Sequence, residues 1–515
     1  MSVHVKIAAG LIVVGALAAA GYKFLWPLVE TRLQIDTTDA RDAKGRIVIG
    51  TDNWVGYFPL CSDGMKKRMR SHGYVLECED DKADYVKRMA ELRAGRLQFA
   101  VATVDAFLLN GLGAGFPGAI VAVIDESKGG DAIVAWKEKA ASIDALKRTP
   151  TPAIAFTPAS PSEHLLRSAA VHFDVPALHD GKGAWRVETQ GSPEALEKLL
   201  ARKVDAAVVW EPDVARALAT PGVVKLLSTA ETQRLIVDVL IAGRNVLHQD
   251  PAMVDALLNT YFEVVRHYRE NPAALAREVA GSMRLTDAQV TAMLSGVALA
   301  GLSDNFQVWL GATPEASALI DVIQSTVRVL EASGAVKANP LPDKDPYRII
   351  NRQFIGQAFT QAATGASAAS ATVVTSTLDK RFPALEEAGW KRLREVGTLK
   401  SFNISFQSGT AELGYDGKVE LDQMMEILRH YPTFRVLVRG HTALSGDPEE
   451  NLRLSRDRAE AVARYMNVTY NVDPNRVRVL GLGSSQPLAR LPSEADRAYQ
   501  YRLPRVEVTL LADTL

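Results

Sequence analysis

Between about Arg46 and residue 245 the chain repeats one rhythm, which constrains its fold more than any other feature. Short β-branched runs alternate with longer helical patterns: RIVIGTD (46–52), GMKKRMRSHG (64–73), YVLECED (74–80), DYVKRMAELRAG (84–95) and LQFAVAT (97–103). Strand-helix units of this kind build parallel sheets, because two parallel strands need a long crossover between them. Further strand candidates are AIVAVID, DAIVAW, PAIAFT, DAAVVWEP, VVKLLST and VDVLIA. Helical patterns then take over, as in DPAMVDALLNTYFEVVRHYRENP and TDAQVTAMLSGVAL. About 300 residues organised in this way suit two α/β lobes closing on a cleft, with a helical finish.

Ahead of this body, Ile7 to Tyr22 are sixteen residues without a charge, set between Lys6 and Lys23. Taken on to Leu28, the segment has 22 residues and one Lys, enough to cross about 30 Å of hydrocarbon at about 1.5 Å per residue. Lys23 can snorkel, and Tyr22 and Trp26 suit an interfacial belt. Ala18, Ala19 and Ala20 equally offer the small residues of a signal-peptide cleavage site. A membrane anchor within residues 1–30 and a cleaved signal share one consequence: the body is exported to the periplasm, facing or anchored in the inner membrane. Export makes Cys61 and Cys78 disulfide candidates, since an oxidising compartment lets them pair; two separate core thiols are the alternative.

Several functions are excluded. Lys plus Arg number 59 against 60 for Asp plus Glu, and no basic block stands out, which argues against nucleic acid as a partner. Two cysteines rule out a multi-cysteine metal site. No G-x-S-x-G, H-E-x-x-H or P-loop occurs, and the nine His are scattered, so no catalytic residue, metal ligand or cofactor is assigned and no enzyme is expected. Ile7 to Leu28 contain no carboxylate, which speaks against a proton-conducting helix.

Four phrases make the α/β body more specific: NWVGYFPL (53–60), ELRAGRLQFAVATVDA (91–106), VIDESKGGDAIVA (123–135) and LLARKVDAAVVWEPDV (199–214). In this order the segment 46–350 resembles type 2 periplasmic solute-binding proteins of the nitrate, sulfonate and taurine class. The resemblance implies a hinged receptor that closes over a small solute, anionic or zwitterionic, and passes it to an ABC permease. Ligands of open α/β sheets bind beyond the carboxyl ends of the strands. The candidate ligand-binding residues are accordingly Trp54, Tyr57, Thr103, Asp105, Ser127 (with the amides of Gly129 and Gly130), Ser160, Ser162, Glu211 and Asp238. Ser160, Ser162 and Glu163 open a helical pattern whose free amides suit an oxyanion. Glu211 and Asp238, if they face the cleft, favour a cationic or amino-bearing solute instead. Each candidate has a structural alternative: Trp54 as core, Asp105, Ser160 and Ser162 as helix caps, the glycines as turn formers.

After about residue 350 the composition changes. QAATGASAASATVVTST (361–377) reads as a linker within 351–395, and ALEEAGWKRLREVG as a short helix. Residues 396–515 carry FQSGTAEL (406–413), RGHT (439–442), NLRLSRDRAEAV (451–462), GLGSSQP (481–487) and RVEV (505–508), and resemble the OmpA-like peptidoglycan-binding domain. The resemblance implies that a loop Asp takes the ammonium of the diaminopimelate stem peptide and a helix Arg its carboxylate. Arg458 matches that Arg and Asn451 the helix Asn, but the Asp position is Ala443, and Leu503-Pro504 stand where the family shows Asn-Arg. Losing one charged partner costs about 1.5–3 kcal/mol, roughly ten- to a hundredfold in affinity. Asp447, in the same loop, is the candidate substitute.

The expected fold class is thus α/β, a two-lobed type 2 binding-protein fold, followed by a smaller α+β OmpA-like domain and preceded by one transmembrane helix. The expected function is solute capture by an envelope-anchored receptor docked on peptidoglycan. The alternative is a structural or sensory scaffold that uses the binding fold as a protein-interaction surface.

Overall fold

The chain leaves one sheet along a strand that runs straight toward a hinge, builds a second sheet, and returns. A computed structural model of the protein describes residues 44–313, 317–365, 381–400, 404–407 and 409–513. The expected membrane segment (7–28) and most of the low-complexity stretch lie outside the described residues. Among the described residues no helix is long and apolar enough to cross a membrane.

The strands are β1 (Gly45–Thr51), β2 (Tyr74–Asp80), β3 (Phe99–Thr103), β4 (Gly118–Ser127), β5 (Asp131–Trp136), β6 (Ile154–Phe156), β7 (Arg186–Glu188), β8 (Ala206–Trp210), β9 (Val223–Ser228), β10 (Val237–Gly243) and β11 (Val297–Leu299). They form a first sheet of order β11-β4-β10-β3-β1-β2 and a second of order β7-β6-β8-β5-β9. The parallel pairings expected from the sequence hold for β1 with β2 and β3, and for β6 with β7 and β8. They fail for β10 against β3 and β4, and for β5 against β8 and β9, which are antiparallel. The reason is the path of the chain. β4 runs toward the hinge and β10 away from it, β5 leaves the hinge and β9 returns, so each outgoing strand opposes its returning partner. β7 and β11, three residues each, were too short to register in the sequence pattern, and β11 falls inside a stretch read as helical.

Burial explains why these runs form strands at the centre of the lobes. All ten residues of β4 and all seven of β10 are buried, as expected for strands covered on both faces. Helices cover the sheets: α1 (Asp63–Ser71), α2 (Tyr85–Arg93), α3 (Val104–Gly113), α4 (Pro161–Phe173), α5 (Pro251–Glu270), α6 (Ala318–Ala332) and α7 (Gln353–Gly365). The disulfide between Cys61 and Cys78 is formed, tying the short helix Phe58–Cys61 ahead of α1 to β2. α7 packs on α5, and Phe359 stacks on Phe306 with ring centroids 4.0 Å apart, so the first lobe extends to 365 rather than ending at 350.

The last domain begins earlier than expected. Phe382 N donates to Asp473 Oδ2 at 2.7 Å, and β12 (Arg394–Thr398) pairs with β15 (Arg505–Ala512). The helix expected over ALEEAGWKRLREVG covers only Glu387–Arg392, and REVGT is a strand. With β13 (Arg435–His441) and β14 (Val477–Gly481) the order is β12-β15-β13-β14, covered by α8 (Tyr415–Arg429) and α9 (Pro448–Tyr470).

This domain shares a hydrophobic core with the second lobe. Phe173 and Ile143 crowd Gly397, where a Cβ would lie 2.9 Å from Phe173. Thr398 N and Oγ1 each donate to Asp144 Oδ2 at 2.9 Å, and Lys147 Nζ donates to Thr398 O at 2.7 Å. His172 Nδ1 lies 2.8 Å from Tyr431 Oη, and the His172 and His430 rings stack 5.5 Å apart.

Candidate functional site

The hinge consists of two crossings, one between Ser127 and Asp131, the other between Ser228 and Val237. Thr229 ties them: its Oγ1 accepts from Gly129 N at 3.0 Å and Asp131 N at 3.1 Å, and lies 2.8 Å from Ser127 Oγ. Ser127 Oγ is also 2.7 Å from Asp131 Oδ2. Around the hinge the strand ends converge on a cavity of about 30 Å³. Asp52 follows β1, Thr103 ends β3, Asp131 opens β5, Trp210 ends β8 and Asp238 lies in β10; all line it, with Trp54, Tyr57 and Tyr85.

Each lining side chain is held by its own network. Trp54 Nε1 donates to Asp125 Oδ1 at 3.2 Å, and the Tyr57 hydroxyl donates to Asp238. Asp52 Oδ2 accepts from Arg88 Nη2 at 3.1 Å and from the Tyr85 hydroxyl at 3.3 Å. Arg88 is 1% exposed and also donates to Asp81 (Nε at 2.7 Å, Nη2 at 2.5 Å) and to Val101 O at 2.7 Å. It is a buried cation between two carboxylates, fully used by the protein.

Asp125 and Asp238 face each other across the β4–β10 ladder, and both are buried. Burial raises both above the usual carboxylate range, and their mutual repulsion raises Asp238 further, so the pair retains a proton that two solvated carboxylates would lose. Burial, with Asp105 and Glu211 nearby, pushes Asp131 up to about 7. Asp105 is likewise pushed by burial up to about 7, and its Oδ2 makes no hydrogen bond.

Of the nine ligand-binding candidates, the structure brings Trp54, Tyr57, Thr103 and Asp238 to the cavity wall. The others are placed differently. Ser127 is spent within the hinge. Ser160 is the N-cap of α4, accepting from Ser162 N at 3.3 Å and donating to Thr157 O at 2.7 Å. Ser162 and Asp105 are buried near the wall without lining it, although Pro161 does. Glu211 Oε2 accepts from Ala215 N at 3.1 Å, a helix-capping role, while its neighbour Trp210 takes the wall. Asp52, Tyr85, Asp131 and Trp210 were missed. A signal was present: RIVIGTD, AIVAVID, DAIVAW and VDVLIA each place an Asp at the hinge-side end of an apolar strand. Carboxyl groups so placed suit an amino-bearing solute better than a simple anion.

In the last domain Asn451 and Arg458 lie on α9 as expected. Arg458 Nε donates to Thr410 O at 3.1 Å, and the guanidinium sits 5.0 Å above the Phe406 ring. Asn451 Nδ2 donates to Ser445 O at 2.9 Å. Asp447 is the N-cap of α9: its Oδ1 accepts from Glu449 N at 2.9 Å and Glu450 N at 3.0 Å. Oδ1 is thus committed to the helix start, while among the described residues Oδ2 accepts no hydrogen bond.

Residues 405–500 match the OmpA family. A curated relative, the probable lipoprotein YiaD of Escherichia coli (strain K12), is 39% identical over 108 residues, 21% of this chain and 48% of its own length. The chain thus spans half or less of the length of the curated relatives it matches first. Among solved structures, the alkanesulfonate-binding protein SsuA from Xanthomonas axonopodis pv. citri bound to MOPS aligns with a TM-score of 0.47 at 16% identity, covering 60% of this chain and 99% of that one. The desulfurization enzyme DSZB aligns with a TM-score of 0.44 at 12% identity, covering 62% of this chain and 100% of that one.

Proposed function

We propose that the chain is a solute receptor of the cell envelope, in which the interlobe cleft captures a small molecule by closing and the C-terminal domain associates with peptidoglycan. The observation that carries this reading is the hinge: two tied crossings flank a cavity whose wall is drawn from both lobes. Such a hinge shifts toward its closed state by as much as the ligand prefers that state. Anchoring through residues 7–28 and delivery to an ABC permease belong to the same proposal.

For the terminal domain the match over 405–500 and the placement of Arg458 support wall association. Among the described residues the terminal guanidinium nitrogens of Arg458 donate to no protein acceptor, which leaves them for a bidentate contact with a carboxylate. With Ala443 in the loop, binding is expected to be weaker than in family members that keep the Asp.

The scaffold reading has one observation in its favour, the small volume of the cavity, about 30 Å³. Thermal unfolding of the full chain against sulfonates, nitrate, phosphonates, amino acids and small amines separates the two. A true solute at about a hundred times its Kd adds about 2.7 kcal/mol of stability. A folded, ligand-free preparation that responds to nothing in such a panel would favour the scaffold.

A further inference from the structure

The cleft is built for one kind of head group, a step that rests on the receptor reading above. The first observation is charge. Asp131 and Asp238 line the cavity, Asp125 lies opposite Asp238, and among the described residues none of the three is paired with Lys, Arg or His. Their neighbours are: Asp52 with Arg88, Glu126 with Lys128, and Glu163 with Arg167 and Arg186. Buried carboxylates are ordinarily paired, so this group either keeps protons or is completed by a cation from outside.

The second observation is the wall itself. Trp54, Tyr57, Tyr85 and Trp210 surround the same space, and aromatic faces attract cations, organic ones above all. The third is a buried acceptor. Thr103 lines the cavity and is 2% exposed, and its hydroxyl, beside the Asp105 carboxylate as donor, keeps lone pairs free to accept a hydrogen bond. The fourth is size: about 30 Å³ is room for about two water-sized groups, which matches a carbon and a nitrogen. A metal ion fits less well, since among the described residues no three His, Cys, Asp or Glu side chains converge to hold one.

We propose that the cleft binds its solute through a primary or monomethylated ammonium head, with Asp131 and Asp238 as counter-ions, Thr103 as a hydrogen-bond acceptor and the aromatic side chains against the attached carbon. The Asp125–Asp238 pair sits behind this head, and the Trp54 indole, held by Asp125, closes over it from the first lobe. Arg88 does not oppose the cation, because Asp52 and Asp81 already neutralise it.

The test is calorimetric titration of the full chain at pH 8 with methylammonium chloride, and separately with sodium methanesulfonate as an anion of comparable size. Methylammonium should bind saturably at one site and methanesulfonate should not bind at the same concentration. Asp131→Asn, which keeps the shape and can still meet the Ser127 hydroxyl, should weaken methylammonium at least tenfold without lowering the unfolding midpoint. Trp210→Leu, at a partly exposed wall position, should weaken it several-fold and serves if Asp131→Asn does not fold. Binding of methanesulfonate or another panel compound without methylammonium overturns the ammonium assignment and leaves the receptor reading standing. Unchanged affinity in either folded variant also overturns it. Silence toward every compound removes the receptor reading itself.

Discussion

Replacing Gly130 by Ala should weaken solute binding while leaving the protein folded. A Cβ at this position would lie 2.2 Å from Trp54 Cη2, 2.9 Å from Cζ3 and 3.2 Å from Gly296 O. The indole cannot simply swing away, because its Nε1 donates to Asp125 at 3.2 Å. Gly130 is not among the glycines with positive φ, so its backbone conformation suits Ala, and the substitution also reduces the entropy of the unfolded chain by about 0.4–1 kcal/mol. Overpacking of this kind costs about 1–3 kcal/mol. Trp54 stands on the first lobe and Gly130 on the crossing, so opening the hinge relieves the clash and the cost falls on the closed state. At about 1.4 kcal/mol per factor of ten, affinity should drop roughly 5- to 150-fold. Calorimetric titration with the strongest panel solute, alongside the melting midpoint, separates the two effects. Unchanged affinity would refute the idea that Trp54 packs on Gly130 in the bound state. A midpoint several degrees lower with the same affinity would put the cost on folding instead.

Other predictions follow from the same packing. Arg88→Met strands Asp52 and Asp81 without their buried cation and should cost about 3–5 kcal/mol in urea unfolding; a loss below about 1 kcal/mol would mean the cluster is dispensable. Changing Cys61 and Cys78 together to Ala opens a loop of sequence separation 17 and should cost about 3 kcal/mol, read from the same unfolding curves, with an unchanged midpoint counting against the bridge. His172 and His430, held well below and below 6.5 mainly by burial, favour a neutral interface between the second lobe and the last domain. Arg328 and His164 act on both rings in the same direction, and Arg234 on His430. Because the folded pKa values are depressed, this stability is full above about pH 6.5 and is lost as pH falls below it. Hydrogen exchange in Arg394–Thr398, corrected for intrinsic rates, should therefore show less protection at pH 5 than at pH 7.5, and equal protection would sink the argument.

Much of the fold was legible because periodicity is a local signal. Runs such as AIVAVID and VDVLIA announce strands through their own residues, and the motifs around RGHT and NLRLSRDRAEAV lie close together in the chain. What was missed depends on partners far apart in sequence. The antiparallel placement of β10 follows from where the chain crosses between lobes, which no window of residues contains. Asp131 and Asp52 matter because hinge geometry brings them together, and each alone looks like a strand end. Ser160 and Asp447 have the chemistry of ligand contacts, yet each sits where a helix starts, and capping engages Ser160 Oγ and Asp447 Oδ1. Glu211 was passed to Ala215 N in the same way, while Trp210 beside it took the wall. The resemblance implies an anionic or zwitterionic solute, whereas Glu211 and the strand-end Asp238 already point in the sequence to a cationic or amino-bearing one.

The central claim, that the lobes close on a solute, is tested most directly by the distance between them. Among the described residues there are no free cysteines, so Lys87→Cys on the first lobe and Gln190→Cys on the second, both exposed, can be spin-labelled and their separation read by pulsed electron resonance. The account predicts a distribution that shifts to shorter distances, and narrows, when the solute giving the largest thermal shift is added. A distribution that stays the same across the entire panel, in protein shown to be folded, would contradict it.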